Sequence, residues 1–171
     1  MRIIETKVYQ YDELPTDKAK ERAREWFDSV QFGGYDWWES VYEDAERIGL
    51  KIKSFDERTL EAEFIASAEE TAHKIETEHG DKCETFIDAK EYLGARDKVV
   101  NEWERDENGE FVNQDRLDVS LDALDSNFLY ALREDYRISL QKDLEYMQST
   151  EQIEENIRVN EYEFTEGGEI S

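Results

Sequence analysis

Apolar residues recur along this chain at two different periods, and the changes of period mark out its elements. The opening "RIIETKVYQY" alternates. Ile4, Thr6 and Val8 face one way and Ile3, Glu5, Lys7 and Tyr9 the other, which predicts a strand rich in β-branched and aromatic residues. The period then lengthens in "DELPTDKAKERAREWF", where Leu14, Ala19, Ala23, Trp26, Phe27 and Val30 recur at helical spacing, with Thr16 as N-cap and Asp17 in the first turn. Gly33 and Gly34 are expected to stop that helix.

"GGYDWWESVYEDAERIG" predicts the next helix, with Trp38, Val41, Tyr42, Ala45 and Ile48 on one apolar stripe and Glu39, Glu43, Asp44 and Glu46 away from it. Trp38 is thereby assigned to the core. Its neighbour Trp37 points about 100° away on a helix and is placed at the margin, either closing the core edge or serving as an anchor for a partner. "LKIKSF" and "TLEAEFIA" predict a hairpin around "DER", the second strand burying Leu60, Ala62 and Phe64 and exposing Glu61 and Glu63.

Ser67 with Glu70, and Asp81 with Glu84, read as capping boxes of two further helices; Gly80 stops the first, and Phe86, Ala89, Leu93, Val100 and Trp103 line the second, with a bend at Gly94. Beyond a turn at "ENGE" comes the longest element. Leu117, Leu121, Leu124, Phe128, Leu132, Tyr136, Leu140, Leu144 and Met147 recur every three or four residues, a helix of about 50 Å unless "DSN" at Asp125 to Asn127 divides it. Ser149 and Gln152 open a final helix that ends at Asn160, and "EYEFTE" predicts a last strand before a glycine-bearing tail.

Together these elements predict one α+β domain over residues 1–171, with about four strands in a small sheet packed against about six helices. The return of Glu161 to Glu166 to the first strand would close the chain. Among 171 residues there is a single proline and no serine/glycine-rich linker, so nothing marks a domain boundary. A lone cysteine, Cys83, excludes an internal disulfide, and no apolar run is long enough to span a bilayer or to serve as a signal peptide. A cytoplasmic protein without membrane association is expected.

Charge changes the picture most. The formal net charge is −24, and residues 61–171 carry 31 Asp/Glu against 11 Lys/Arg. Such a field repels phosphate backbones and anionic lipid, and it attracts basic protein surfaces, including grooves that hold nucleic acid. Asp115, Asp118, Asp122 and Asp125 fall three or four apart, a carboxylate row along one helix face that could occupy basic pockets shaped for a phosphate backbone. With Trp37 as the desolvated anchor, these are the expected partner-binding residues.

Enzymatic readings find less. Each histidine closes a Glu-x-x-His unit, Glu70 with His73 and Glu76 with His79, but two units six residues apart on one helix are offset by about 120° and do not face one cavity. His79, Cys83 and a nearby carboxylate form a weaker mononuclear metal alternative. Nucleophile elbows, phosphate loops and paired CxxC motifs are absent from the sequence, so neither a catalytic residue nor a cofactor is assigned.

The phrases "AKERAREW", "DWWESVYEDAERIGLKIKSFDER", "SAEETAHKI", "TEHGDKCET" and "NEYEFTEGG" resemble a family of uncharacterised acidic proteins encoded by bacteriophages and prophages, some loosely labelled antitoxin-like. The resemblance runs nearly the whole chain and brings no catalytic residues with it. It implies a mobile-element origin and little more; that origin together with the acidic charge favours a non-enzymatic protein-binding role in the host cytoplasm. Its sharpest form is a DNA-mimic-like inhibitor of a nucleic-acid-binding defence enzyme such as a restriction or CRISPR nuclease. A small metal-dependent enzyme and an antitoxin-like or structural phage protein are the alternatives.

Overall fold

The computed structural model describes residues 7–31, 37–56 and 58–171. Within them lie six α-helices, one 3₁₀ turn and one two-stranded antiparallel sheet, an α+β architecture dominated by helix. The chain gathers into two compact units, residues 1–37 with 142–171, and residues 38–141.

The first helix of the chain, α1 (Asp17–Gln31), belongs to the unit of residues 1–37 and 142–171, and the unit of residues 38–141 begins with α2 (Glu39–Ile48). That helix ends at Gly49, whose φ of 96° is left-handed and whose N–H caps the Ala45 and Glu46 carbonyls. A Cβ there would stand 2.8 Å from the Ala66 Cβ, so only glycine fits. Strands β1 (Leu50–Phe55) and β2 (Leu60–Phe64) form the expected hairpin, pairing Leu50 with Phe64 and Ile52 with Ala62. Asp56 closes its turn by accepting from the Arg58 and Thr59 N–H groups.

Helices α3 (Ala68–Glu78), α4 (Glu84–Glu102) and α5 (Gln114–Met147) complete the set, α3 opening on the expected Ser67/Glu70 capping box. The core is built from Ile48, Leu50, Ile75, Leu117, Leu132 and Leu140, all fully buried. Phe128 stacks on Tyr92 with centroids 4.5 Å apart and lies 6.0 Å from Phe64. Arg133 of α5 donates from Nε to the Ala62 carbonyl at 3.1 Å, fastening the long helix to the hairpin.

The unit of residues 1–37 and 142–171 contains a 3₁₀ turn at Tyr11–Glu13, α1, the end of α5, and α6 (Thr150–Val159). Thr16 caps α1 by accepting from the Ala19 N–H at 3.1 Å, and Ser149 caps α6 by accepting from Gln152. Tyr11, Leu14, Ala19, Ala23, Phe27, Ile153, Ile157 and Phe164 form its core. Tyr9 and Phe164 exchange both backbone hydrogen bonds at 2.8 Å, so the C-terminal segment does return to the start of the chain.

Several expectations need correction. The four-strand sheet is overstated, because the described part of the first strand and "EYEFTE" make only single bridges, Tyr9 to Phe164 and Phe164 to Ile170. Glu161 and Gly168 both adopt positive φ, and the chain turns back at Gly168 so that Phe164 bridges Tyr9 on one side and Ile170 on the other. Residues 2–6 of the predicted strand, and Gly33 and Gly34, lie outside the described residues. Cys83, not Asp81, is the N-cap of α4, and its side chain caps nothing. α4 runs through Gly94, and α5 runs unbroken through Asp125 to Asn127 for 34 residues. Trp38 is not core. It is the N-cap of α2 and 37% exposed, because it precedes the first helical residue, Glu39, and the buried stripe of the helix is carried by Ala45 and Ile48.

Candidate functional site

The acidic row keeps its place on the N-terminal half of α5. The opposite face of that helix is buried through Leu117, Phe128 and Leu132, which leaves Asp115, Asp118 and Asp122 outward and exposed. Asp118 accepts from the Gln114 amide at 2.7 Å, and among the described residues no lysine or arginine pairs with any of the three. Asp125 departs from the row. It accepts from the Tyr92 hydroxyl at 2.6 Å and lies 3.9 Å from Arg96, so it serves the α4–α5 contact. Burial and that carboxylate together hold the Tyr92 hydroxyl well above the usual tyrosine range.

The metal candidates are not brought together. His73 is exposed on α3, with Nδ1 3.4 Å from its neighbour Glu76. Cys83 is exposed at the start of α4. His79 turns inward: its Nδ1 is 2.7 Å from the Thr85 hydroxyl and its Nε2 faces Asp44 at 3.4 Å. Among the described residues no group of three or more His, Cys, Asp or Glu is arranged to hold a metal ion.

His79 belongs instead to a polar junction of four helices. Asp44 of α2 accepts from the Tyr136 hydroxyl of α5 at 2.9 Å and pairs with Arg47, which also reaches Glu78 at 2.7 Å. The contact with His79, then the bonds from Tyr136 and Arg47, hold the Asp44 carboxyl down at about 2. Asp44 therefore contributes stability above an ordinary aspartate pKa, and that contribution is lost as the pH falls toward 2.

One residue from Tyr136, a second carboxyl behaves in the opposite sense. Asp135 interacts electrostatically with Asp88 of α4, and its buried Oδ2 has no hydrogen-bond partner among the described residues. Burial, the Asp88 charge and the nearby Glu84 and Glu134 push Asp135 up to about 7, while burial also raises Asp88. Two carboxyls in one desolvated place favour a shared proton. From about pH 4 to pH 7 the folded chain retains a proton that the unfolded chain releases, so stability falls as the pH rises through this window. Asp135→Asn keeps a donor toward Asp88 without the charge. At pH 8 the variant is expected to gain about 2 kcal/mol, the pKa displacement discounted for solvent screening, and at pH 4 to gain nothing. Urea unfolding at the two pH values checks this, and a gain of equal size at both would refute the assignment.

The half-buried Trp37 is not a projecting knob. It forms part of the wall of a cleft of about 540 Å³ within the unit of residues 1–37 and 142–171, together with Phe27, Val30, Tyr146, Met147 and Tyr162. Asp143, Gln152, Asn156 and Asn160 supply the polar lining. Tyr162 is fixed by its rings' neighbours: its centroid is 5.1 Å from Trp26, edge-on, and 6.0 Å from Phe27. The Gln152 amide donates to the Asn156 side chain at 3.2 Å, and the Asn160 amide donates to the Asn156 carbonyl at 2.8 Å. The sequence placed Phe27, Val30, Met147 and Asn160 near helix ends; it held no signal that those ends meet.

Comparison with protein-family models, with curated proteins and with solved structures finds no match.

Proposed function

We propose that this chain is a non-enzymatic binding protein for a basic protein partner, and that the exposed face of α5 carries the contact. The observation that supports this reading is the row Asp115, Asp118 and Asp122, three exposed carboxylates with no cationic partner among the described residues, on a helix whose other face is buried. Like charges three and four apart weaken a helix slightly, by about 0.2–0.5 kcal/mol per pair, and a net charge of −24 adds self-repulsion. An acidic field of this kind speeds encounter with a basic surface and orients it.

The resemblance to phage-encoded acidic proteins gives the partner its sharpest form, a host enzyme that holds nucleic acid in a basic groove. Restriction and CRISPR nucleases are of this kind, and the row would stand in for phosphates. Affinity capture of the tagged protein from host lysate at low and high salt tests the reading. One dominant nucleic-acid-binding partner, displaced by added DNA and weakened by salt, is the expected result. No enriched partner at either salt would overturn it.

A further inference from the structure

We propose that the aromatic cleft walled by Trp37 is a receptor for an arginine side chain displayed by the basic partner. The proposal rests on the partner-binding reading above and names the chemistry of a second contact.

The cleft is made at the ends of helices. Phe27 and Val30 belong to the last turns of α1, Asp143, Tyr146 and Met147 to the last turns of α5, and Asn156 and the C-cap Asn160 to the end of α6. A helix C-terminus carries about half a negative charge, which a basic residue in the last turn commonly offsets. Neither α1 nor α5 has a basic residue there. α6 has Arg158, but that guanidinium is occupied by Asp12 at 3.0 Å and Glu154 at 3.1 Å and does not line the cleft. The C-terminal ends of these helices and the Asp143 carboxylate thus border a space whose described lining holds no lysine or arginine, while the first turn of α6 reaches it through the neutral Gln152.

The remaining walls are rings. Phe27, Trp37, Tyr146 and Tyr162 all line the cleft, and Phe27 and Tyr162 are inclined at 54° with centroids 6.0 Å apart. A cation is attracted to an aromatic face within about 6 Å of its centroid. Arginine suits such a site better than lysine, since its flat guanidinium stacks on rings while its edge donates to a carboxylate and to amide carbonyls. A phosphate or carboxylate ligand would meet the Asp143 carboxylate and no cationic side chain in the described lining.

The probe is acetyl-arginine amide, titrated into the full chain while the indole N–H resonances are followed by NMR. Perturbation of the Trp37 signal is expected, with the neutral isostere acetyl-citrulline amide at least tenfold weaker and the lysine analogue intermediate. Asp143→Asn should weaken arginine at least fivefold while leaving the unfolding midpoint unchanged, and Trp37→Ala should abolish saturable binding. Citrulline binding as well as arginine would overturn the proposal, as would no perturbation of Trp37 at millimolar probe. The triple variant of Asp115, Asp118 and Asp122 separates the two readings: it should retain the arginine response even where capture of a partner is lost. Failure of the probe alone leaves the α5 contact standing.

Discussion

Changing Asp115, Asp118 and Asp122 together to asparagine is expected to weaken partner binding by roughly 30-fold at low ionic strength and to flatten its dependence on salt. Exposed interfacial charges contribute about 0.2–1 kcal/mol each, so three of them supply about 2 kcal/mol, where 1.4 kcal/mol is tenfold. Most of the loss should fall on the association rate, because rim charges steer encounter more than they hold the docked complex. The fold should survive. Asn and Asp have similar helix propensity, and removing like charges at spacings of three and four relieves repulsion within α5. An unchanged or slightly raised thermal midpoint therefore accompanies the expected loss, measured by surface plasmon resonance over a salt series. Asp125→Asn is the internal contrast. It weakens the acceptor of Tyr92 and should cost stability while leaving partner affinity nearly untouched. Equal binding by the triple variant and the parent would remove α5 from the interface.

What the sequence disclosed follows a physical division. Features decided within one or two helical turns were legible: the α5 stripe through Leu117, Phe128, Leu132 and Leu140, the Ser67/Glu70 box, the caps at Thr16 and Ser149, and the hairpin around Asp56. The errors arose where one element's boundary depends on another. Periodicity alone places Trp38 on a stripe, whereas the helix begins at Glu39 and leaves Trp38 as an exposed cap. "EYEFTE" has strand composition, but between positive-φ residues Glu161 and Gly168 it makes only isolated bridges at Phe164 among the described residues.

The candidate sites were less legible still, because they join distant residues. His79 was noticed as a possible metal ligand; its actual neighbours, Asp44, Thr85 and the Tyr136 bound to the same Asp44, come from three other helices. The Asp88–Asp135 pair and the convergence of three helix ends on Trp37 leave no local pattern at all. In a chain with 45 Asp and Glu, composition could not distinguish the carboxyl that keeps its proton from those that do not.

Gly168→Ala is expected to be the most damaging glycine-to-alanine change among the described residues, costing more than about 3 kcal/mol or detaching the C-terminal tail. Gly168 is buried against the first turn of α1, where a Cβ would stand 2.0 Å from the Ala19 carbonyl oxygen and 2.7 Å from its carbon. Backbone cannot yield there, since Ala19 is itself buried and its N–H is held by the Thr16 cap. The φ of 82° adds roughly 1–2 kcal/mol of strain for any residue with a Cβ. Relief requires the tail to move, which would break the Gly168 to Thr165 and Thr165 to Glu169 backbone bonds and loosen the fully buried Phe164. Withdrawal of a buried phenylalanine costs about 3–5 kcal/mol in other cores. Gly167 provides the control one residue away: its Cβ would meet the end of the Arg22 side chain at 3.6 Å and the Thr165 hydroxyl at 3.8 Å, both in ordinary van der Waals contact. Gly167→Ala should lie within about 0.5 kcal/mol of the parent. Urea unfolding of the two variants, with hydrogen exchange at the Tyr9 and Phe164 amides, separates them. Indistinguishable behaviour would mean that the tail does not pack on α1 as described. The expected contrast would establish that Phe164, and with it the Trp26 and Tyr162 rings beside the cleft, depends on two hydrogen atoms at residue 168.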